Sequence, residues 1–237
     1  MRLKGLPVRL VLDEHGKEVA LDLVADSPLF VFGRTGAGKS NALHQIICEV
    51  VERASADEVS LVLVDPKRIE FGVYAALPHL RSPVVDVVEW RRTLTDLRGE
   101  VARRRGSDDS EPDADILLIV DAAELLEPSM HQDHFNELDV IAEYGPSVGV
   151  HLVVAAQARG AERTSEILEP FSVFALDVTE MDDSSTVIGV PDAANLDRRG
   201  HGLLRRCGEV GFIDLDVPLV TDERLRAATS RWPGDGS

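Results

Sequence analysis

The sequence predicts an α/β domain, in which helices cover both faces of a mainly parallel central sheet. Three observations predict it: short continuous apolar segments, helical patterns between them, and polar residues at the ends of several segments. A strand is apolar along its whole length when both of its faces are buried, as they are in a parallel sheet. Ligands of such sheets bind at the carboxyl ends of the strands. We therefore expect the functional residues at that edge.

The predicted elements alternate along the chain. Residues 29–32 form a buried strand, and apolar residues recur at helical spacing from Ala42 to Val51. Later apolar runs predict four further strands and one more helix, and a short turn sequence predicts a C-terminal β-hairpin. The further strands are residues 60–65, 116–121, 150–157 and 173–176, the helix is residues 93–105, and residues 202–205 and 210–213 flank Cys207, Gly208 and Glu209 in the hairpin.

The composition is typical of one globular domain. The chain has 237 residues, of which 44% are hydrophobic and 28% charged, and no linker divides it. No apolar run approaches the ~18 residues of a membrane helix, and the N-terminus lacks a signal-peptide pattern, so we expect a cytoplasmic protein. Cys48 and Cys207 belong to no CxxC motif and are expected as free thiols.

The net charge of -17 limits how the chain could bind nucleic acid. Binding to a duplex depends on Lys and Arg contacts with phosphate, and this surface repels DNA on average. Any DNA contact is therefore expected through a few local loops. The one basic concentration favours a solvated helix face over a DNA groove; it comprises Arg91, Arg92, Arg98, Arg103, Arg104 and Arg105.

A glycine-rich loop follows the first buried strand. It matches G-x-x-x-x-G-K-[ST] at every fixed position, and chance produces such a match in a chain of this length with odds of roughly 1%. The loop comprises Gly33, Arg34, Thr35, Gly36, Ala37, Gly38, Lys39 and Ser40. Its backbone N–H groups would cradle phosphate, Lys39 would reach the β- and γ-phosphates, and Ser40 would ligate Mg²⁺. We expect ATP with Mg²⁺ as the ligand.

A magnesium site of this kind also needs a carboxylate at the end of a neighbouring strand. Asp121 follows five apolar residues and fits that role. Asp65 ends another apolar strand, but Pro66 and Lys67 follow it, which favours a turn. Gln157 ends the fourth strand and could hydrogen-bond the γ-phosphate or the attacking water; a turn residue is the alternative.

Five segments of the chain carry a more specific set of motifs. They are the phosphate loop with Asn41 at residues 33–41, D-P-K-x-x-E…Y…P-H-L at 65–80, P-V-V…E-x-x-R-R at 83–104, G-x-H-L-x-x-A-x-Q at 149–157, and D-S-x-T-x-I…G-x-G at 183–202. Together they resemble the FtsK/SpoIIIE family of motors, in the HerA-FtsK branch of the RecA-like P-loop NTPases. The resemblance covers about residues 20–215. It implies one ATPase domain over residues 1–237, with a short flexible C-terminal tail.

The resemblance also implies how such a domain works. ATP would lie between subunits of a homo-oligomeric ring, or of a ring with related subunits, with Lys39, Ser40, Asp121 and Gln157 on one side and Asn41 beside the loop. Relatives move double-stranded DNA through the ring. A related branch, the EccC-type secretion ATPases, serves protein export, so protein cargo is the alternative.

The chain departs from the family pattern at the end of the third predicted strand. Relatives have V-D-E there, and this chain has Ala122 in place of the glutamate that polarises the attacking water. Glu124 lies one helical turn further on and is the candidate substitute for that base. Loss of a general base is expected to slow hydrolysis roughly 10²- to 10⁴-fold while nucleotide binding persists. A non-hydrolysing regulatory subunit that binds nucleotide is the second alternative.

Overall fold

A computed structural model describes residues 7–12, 18–86, 88–107, 113–121, 132–157 and 170–232. The strands are β1 (Pro7–Leu12), β2 (Glu18–Asp22), β3 (Leu29–Phe32), β4 (Val59–Val64), β5 (Asp115–Val120), β6 (Val150–Ala156), β7 (Ser172–Leu176), β8 (His201–Arg205) and β9 (Ile213–Asp216). The helices are α1 (Lys39–Arg53), α2 (Trp90–Gly106), α3 (Gln132–Tyr144), α4 (Met181–Ile188) and α5 (Asp222–Ser230). Short 3-10 turns lie at Phe71–Tyr74, Pro146–Val148 and Pro191–Asn195.

The described strands form one sheet in the order β2-β1-β9-β8-β7-β3-β6-β5-β4. Its central part, β7-β3-β6-β5-β4, is parallel throughout. The remaining four strands extend it in antiparallel pairs from β7 outward. The predicted α/β class with a mainly parallel central sheet is therefore confirmed, with β3, the strand that leads into the glycine-rich loop, in the middle.

Helices pack on both faces of this sheet, as predicted. Successive side chains of β3 point to opposite faces: Val31 belongs to the hydrophobic core beneath α1 and α5, whereas Phe30 and Phe32 belong to the core beneath α2, α3 and α4. All three are buried. Burial on both sides is the physical reason why β3 reads as an uninterrupted apolar run.

In the structure, the second strand of the predicted C-terminal hairpin begins later in the chain than predicted. β8 and β9 pair as expected, but β9 begins at Ile213 and not at Val210. Gly208 and Gly211 both have positive φ, 75° and 102°, a conformation that suits a turn and interrupts a strand. Residues 206–212 are therefore the hairpin loop.

Two further features lie outside the predicted pattern. β1 and α5 extend the fold beyond residues 20–215 at both ends. The tail expected from Arg231 onward is anchored at Trp232, whose indole N–H donates to Val51 O at 2.7 Å and whose ring meets His79 edge-on at 5.0 Å. Cys48 and Cys207 form no disulfide, as predicted. In the ranges that the structure describes, no helix has the length and apolarity needed to cross a membrane.

Candidate nucleotide site

The glycine-rich loop connects β3 to α1 and rests on a distant backbone segment. Gly36 and Gly38 have positive φ, 84° and 115°, which only glycine adopts readily. Gly200 N–H donates to Ala37 O at 2.8 Å. A Cβ placed on Gly38 would lie 3.0 Å from Gly200 N, which is an unusually close contact for a Cβ. The loop is thus shaped by its own glycines and supported by Gly200.

Lys39, the first residue of α1, folds back over the loop. Its side chain is buried, and Nζ donates to Gly33 O at 2.8 Å and to Arg34 O at 3.0 Å. These carbonyls hold the ammonium group at the loop. The first N–H groups of an α-helix have no intrahelical acceptor, and here the first intrahelical bond runs from Ala42 N to Gly38 O. A lysine charge and the start of a helix therefore favour an anion at the same place.

Ser40 and Asp121 come together from different elements. Ser40 lies in the first turn of α1, and Asp121 follows β5, two strands away from β3. Ser40 Oγ is 3.4 Å from Asp121 Oδ2, and Asp121 is buried. A hydroxyl and a carboxylate are oxygen ligands of the type that Mg²⁺ takes, and Mg²⁺ usually keeps several waters besides. These two side chains could therefore hold Mg²⁺ directly or through its waters.

Gln157 lies at the same edge of the sheet. It follows the last residue of β6, and β6 lies between β3 and β5. The carboxyl ends of parallel strands lie at one edge of the sheet. Gln157, after β6, therefore lies at the same edge as Lys39, after β3, and Asp121, after β5. Its role at the γ-phosphate stays a prediction.

Asp65, the alternative magnesium ligand, is used differently. It is fully buried, and its carboxylate accepts backbone N–H groups from Lys67 at 3.1 Å, Glu70 at 2.8 Å and Phe71 at 3.1 Å. A carboxylate so bonded stabilises the turn after β4, which supports the turn interpretation. In the described ranges, no three His, Cys, Asp or Glu side chains gather as a metal site.

Arg34 of the predicted loop and Asn41 beside it have side-chain partners that local sequence patterns do not predict. Arg34 Nε donates to Asp177 Oδ2 at 2.6 Å, and Arg34 N donates to Asp177 O at 2.8 Å, which fixes the loop to the end of β7. The carboxylate raises the pKa of the Arg34 guanidinium. Asn41 Nδ2 donates to Pro218 O at 2.9 Å, and Asn41 Oδ1 accepts from Val220 N at 2.8 Å. A cofactor contact of Asn41 would therefore use its backbone.

The exposure of the remaining loop residues fits a site that is open on one side. Arg34, Thr35 and Gly36 are exposed, whereas Ala37 and Gly38 are buried against the sheet. Ala122 and Glu124, on which the predicted loss of hydrolysis depends, lie outside the described residues.

Comparison with known proteins places this site in a family. The model of the FtsK/SpoIIIE family matches residues 2–188. A DNA translocase FtsK of Streptomyces avermitilis is 27% identical over 251 residues, which covers 93% of this chain and 28% of that protein. A DNA translocase FtsK of Tropheryma whipplei is 28% identical over 248 residues, covering 93% of this chain and 34% of that protein. The chain thus spans about a third or less of the length of these relatives.

Solved structures with the same fold include a secretion ATPase. The cytoplasmic domain of the Type VII secretion ATPase EccC from Thermomonospora curvata superimposes with a TM-score of 0.84 and 24% identity. That match covers 98% of this chain and 31% of the other. At this identity the likeness shows a shared fold, and it confirms the predicted RecA-like P-loop class.

Proposed function

The chain belongs to the FtsK/SpoIIIE family, and from that membership we propose that it is an ATP-binding motor domain of the DNA-translocase type. One observation carries the proposal: Lys39 Nζ folds over the glycine-rich loop while Ser40 Oγ lies 3.4 Å from Asp121 Oδ2. This arrangement supports one site with cation-stabilised phosphates and an oxygen-ligated Mg²⁺ beside them. ATP would bind through residues 33–41, with Gln157 at its γ-phosphate.

Hydrolysis by this domain is proposed to be weak. Asp121 supplies an acid for the metal, whereas Ala122 offers no carboxylate to polarise the attacking water. The missing base is expected to lower the hydrolysis rate roughly 10²- to 10⁴-fold relative to a chain that has it. Binding would persist because the phosphate loop is intact.

The experiment compares the natural chain with three variants in Mg-ATP binding and turnover. The Ala122→Glu variant is expected to hydrolyse ATP much faster than the natural chain and to bind it with similar affinity. The Lys39→Ala variant is expected to lose binding, and the exposed Thr95→Ala variant on α2 serves as a control. Fast turnover that is equal in the natural chain and in Ala122→Glu would refute the weak-hydrolysis proposal. Binding that is the same with and without Lys39 would refute the nucleotide site.

DNA is the proposed cargo because the matching relatives are DNA translocases. We propose that the domain acts in a ring, either with copies of itself or with related subunits, and that it meets duplex DNA through local loops. A net charge of -17 favours protein cargo as the second candidate.

Duplex DNA added to the Ala122→Glu variant should stimulate its ATPase rate, and this stimulation should fall with salt. A protein-export ATPase would show no stimulation, and a regulatory subunit would bind ATP and assemble only with an active partner.

A further inference from the structure

Arg199 lies beside the phosphate loop, although it is far from the loop in sequence. The next residue, Gly200, donates its N–H to Ala37 O at 2.8 Å, so this backbone segment is fixed against the loop. A Cβ built on Gly38 would lie 3.7 Å from Arg199 Cγ. The stem of the Arg199 side chain therefore runs along Gly38, and the residue is exposed to solvent.

Among the described residues, Arg199 differs from its arginine neighbours in having no ion-pair partner. Arg198 pairs with Asp216 at 3.1 Å, and Arg34, on the loop itself, pairs with Asp177. Across the part of the chain that the structure describes, neither a carboxylate nor a hydrogen-bond acceptor contacts the Arg199 guanidinium. The chain has 42 acidic residues against 25 Lys and Arg, so carboxylates are abundant. Within the described residues, the Arg199 guanidinium has no carboxylate partner, and it belongs to a residue beside the phosphate loop. It is therefore suited to bind an anion that the ligand supplies.

The sheet order indicates which part of a nucleotide Arg199 would meet. Asp121 ends β5, two strands from β3 on one side, and Arg199 precedes β8, two strands from β3 on the other. Leu176 at the end of β7 pairs with Gly202 near the start of β8, so Arg199 and Asp121 share the carboxyl edge. In the proposed site the metal and the γ-phosphate would lie on the Asp121 side. The ribose and the α-phosphate would then extend toward Arg199.

We propose that Arg199 is a nucleotide-binding residue, whose guanidinium holds the α-phosphate end of the nucleotide in the same subunit. The inference rests on the proposed function and deepens it by assigning a contact outside the glycine-rich loop. A contact with the α-phosphate is made equally by a nucleoside diphosphate and a triphosphate. Arg199 thereby differs from a γ-phosphate sensor, which would distinguish the two.

The test measures the Kd values of Mg-ATP and Mg-ADP for the natural chain and three variants. Arg199→Gln is expected to weaken both nucleotides by about the same factor, roughly tenfold, because a charge-assisted bond to phosphate is lost. Arg199→Lys, which keeps the charge but not the fork of N–H donors, should lose less. Arg198→Gln is the matched control: it removes the same charge from the adjacent position and should leave both Kd values within about twofold.

Three outcomes would overturn the inference about Arg199, and a fourth would overturn the proposed function as well. Unchanged Kd values in Arg199→Gln would overturn the inference and leave the proposed function standing. An equal loss of affinity in Arg198→Gln would do the same, because the effect would then be one of overall charge. A loss for ATP alone would also overturn it, because the contact would lie at the γ-phosphate. Failure of the natural chain to bind either nucleotide would overturn the proposed function as well. Thermal unfolding without nucleotide, expected to be the same in all four chains, excludes a folding defect.

Discussion

At the scale of single residues, the loop depends on Gly38. Its φ of 115° disfavours any other residue, and a Cβ there would approach Gly200 N within 3.0 Å. We expect Gly38→Ala to cost roughly 1–3 kcal/mol of unfolding free energy, because backbone strain and a close contact add up. The stabilisation by Mg-ATP should disappear with it. Urea denaturation with and without Mg-ATP measures both effects.

Gly36 provides the comparison for that prediction. It also has positive φ, at 84°, but a Cβ there would have no atom within 4 Å. Gly36→Ala therefore carries only the conformational cost, on the order of 1 kcal/mol. If both alanine variants lose the same stability, the close approach of Gly200 is not what selects glycine at residue 38.

The residue scale also separates what sequence reasoning could predict from what it could not. Lys39 and Ser40 follow from a local motif, and Asp121 follows from its place after an apolar strand. Arg34 and Asp177 are 143 residues apart, and their contact exists only because β7 lies next to β3. Arg199 was missed for the same reason. An arginine in a polar segment has no local pattern that assigns it to a site; only the sheet order brings it to Gly38.

At the scale of elements, the C-terminal segment holds α1 along its length. Asn41 bonds Pro218 and Val220 at one end, and Trp232 bonds Val51 at the other. Between them, Arg224 donates to Gln45 at 2.7 Å and to Glu49 at 2.6 Å. Because α1 begins at Lys39, this segment also supports the nucleotide site.

Removing the Asn41 amide tests that support. Asn41→Ala loses one donor and one acceptor and leaves Pro218 O and Val220 N without their partner, so we expect a loss of roughly 1–3 kcal/mol in unfolding free energy. Leu219→Ala, between those two contacts, is the control, since Leu219 is 70% exposed. Equal urea midpoints for Asn41→Ala and the natural chain would show that the C-terminal segment does not hold α1.

A second element contact fixes α2 to the sheet. Arg104 is buried, and its guanidinium donates to three backbone carbonyls, those of Ala114, Val148 and Gly149, at 2.9 to 3.2 Å. Glu100, one turn earlier, accepts from Arg104 Nε at 2.8 Å. Arg104 was grouped with the solvated arginines of this helix from sequence alone, and that interpretation was wrong for it.

The pH dependence of stability tests the Glu100 contact. Hydrogen bonds from Arg103 and Arg104 lower the pKa of Glu100 from 4.5 to about 2. A lowered pKa in the folded state means that the stabilisation is complete above pH 4.5 and is lost as the pH falls toward 2. Glu100→Gln should therefore be less stable than the natural chain at pH 7, and the difference should shrink between pH 4.5 and 2. A difference that stays constant in urea titrations across that range would contradict the assigned pKa.

Helices and strands could be predicted from the sequence where burial leaves a regular pattern of apolar residues. The five parallel strands are largely apolar and were found, with ends that shifted by at most one residue. β1, β2, α3, α4 and α5 were missed. β2 (Glu18–Asp22) and α4 (Met181–Ile188) carry charged residues and are short, so a few apolar positions could not establish a period. Their places depend on tertiary pairing, which the sequence pattern does not display.

At the scale of the whole molecule, a net charge of -17 acts against the compact state. Mutual repulsion among carboxylates destabilises folding, and salt screens it over about 10 Å at 0.1 M. We expect the free energy of unfolding to rise as NaCl increases from 0.05 to 0.5 M. Urea titrations at several salt concentrations measure it. A fall in stability over this range would mean that attractive ion pairs, such as Arg104 with Glu100, outweigh the repulsion.

The same charge shapes how a duplex could be bound. Each phosphate that a protein neutralises contributes about -0.9 to the slope of log K against log salt. Besides Arg103, which pairs with Glu100 and Asp113, four arginines of α2 are exposed and could supply such contacts; they are Arg91, Arg92, Arg98 and Arg105. However, Arg92 is 3.7 Å from Asp96, and Arg105 lies 4.1 Å over the Tyr144 ring. Both arginines therefore already interact within the protein.

We accordingly expect these arginines to be a solvated face that does not contact DNA. Changing all four to glutamine should leave the salt slope of duplex binding unchanged within about one unit, while a variant at true contacts would flatten it by about 0.9 for each phosphate lost. Fluorescence anisotropy with a labelled duplex, from 0.05 to 0.3 M NaCl, measures the slope. The glutamine variant has a net charge of about -21, four less than the natural -17, so its overall affinity falls through the long-range field. A slope that flattens by three units or more would instead locate the DNA contact on α2.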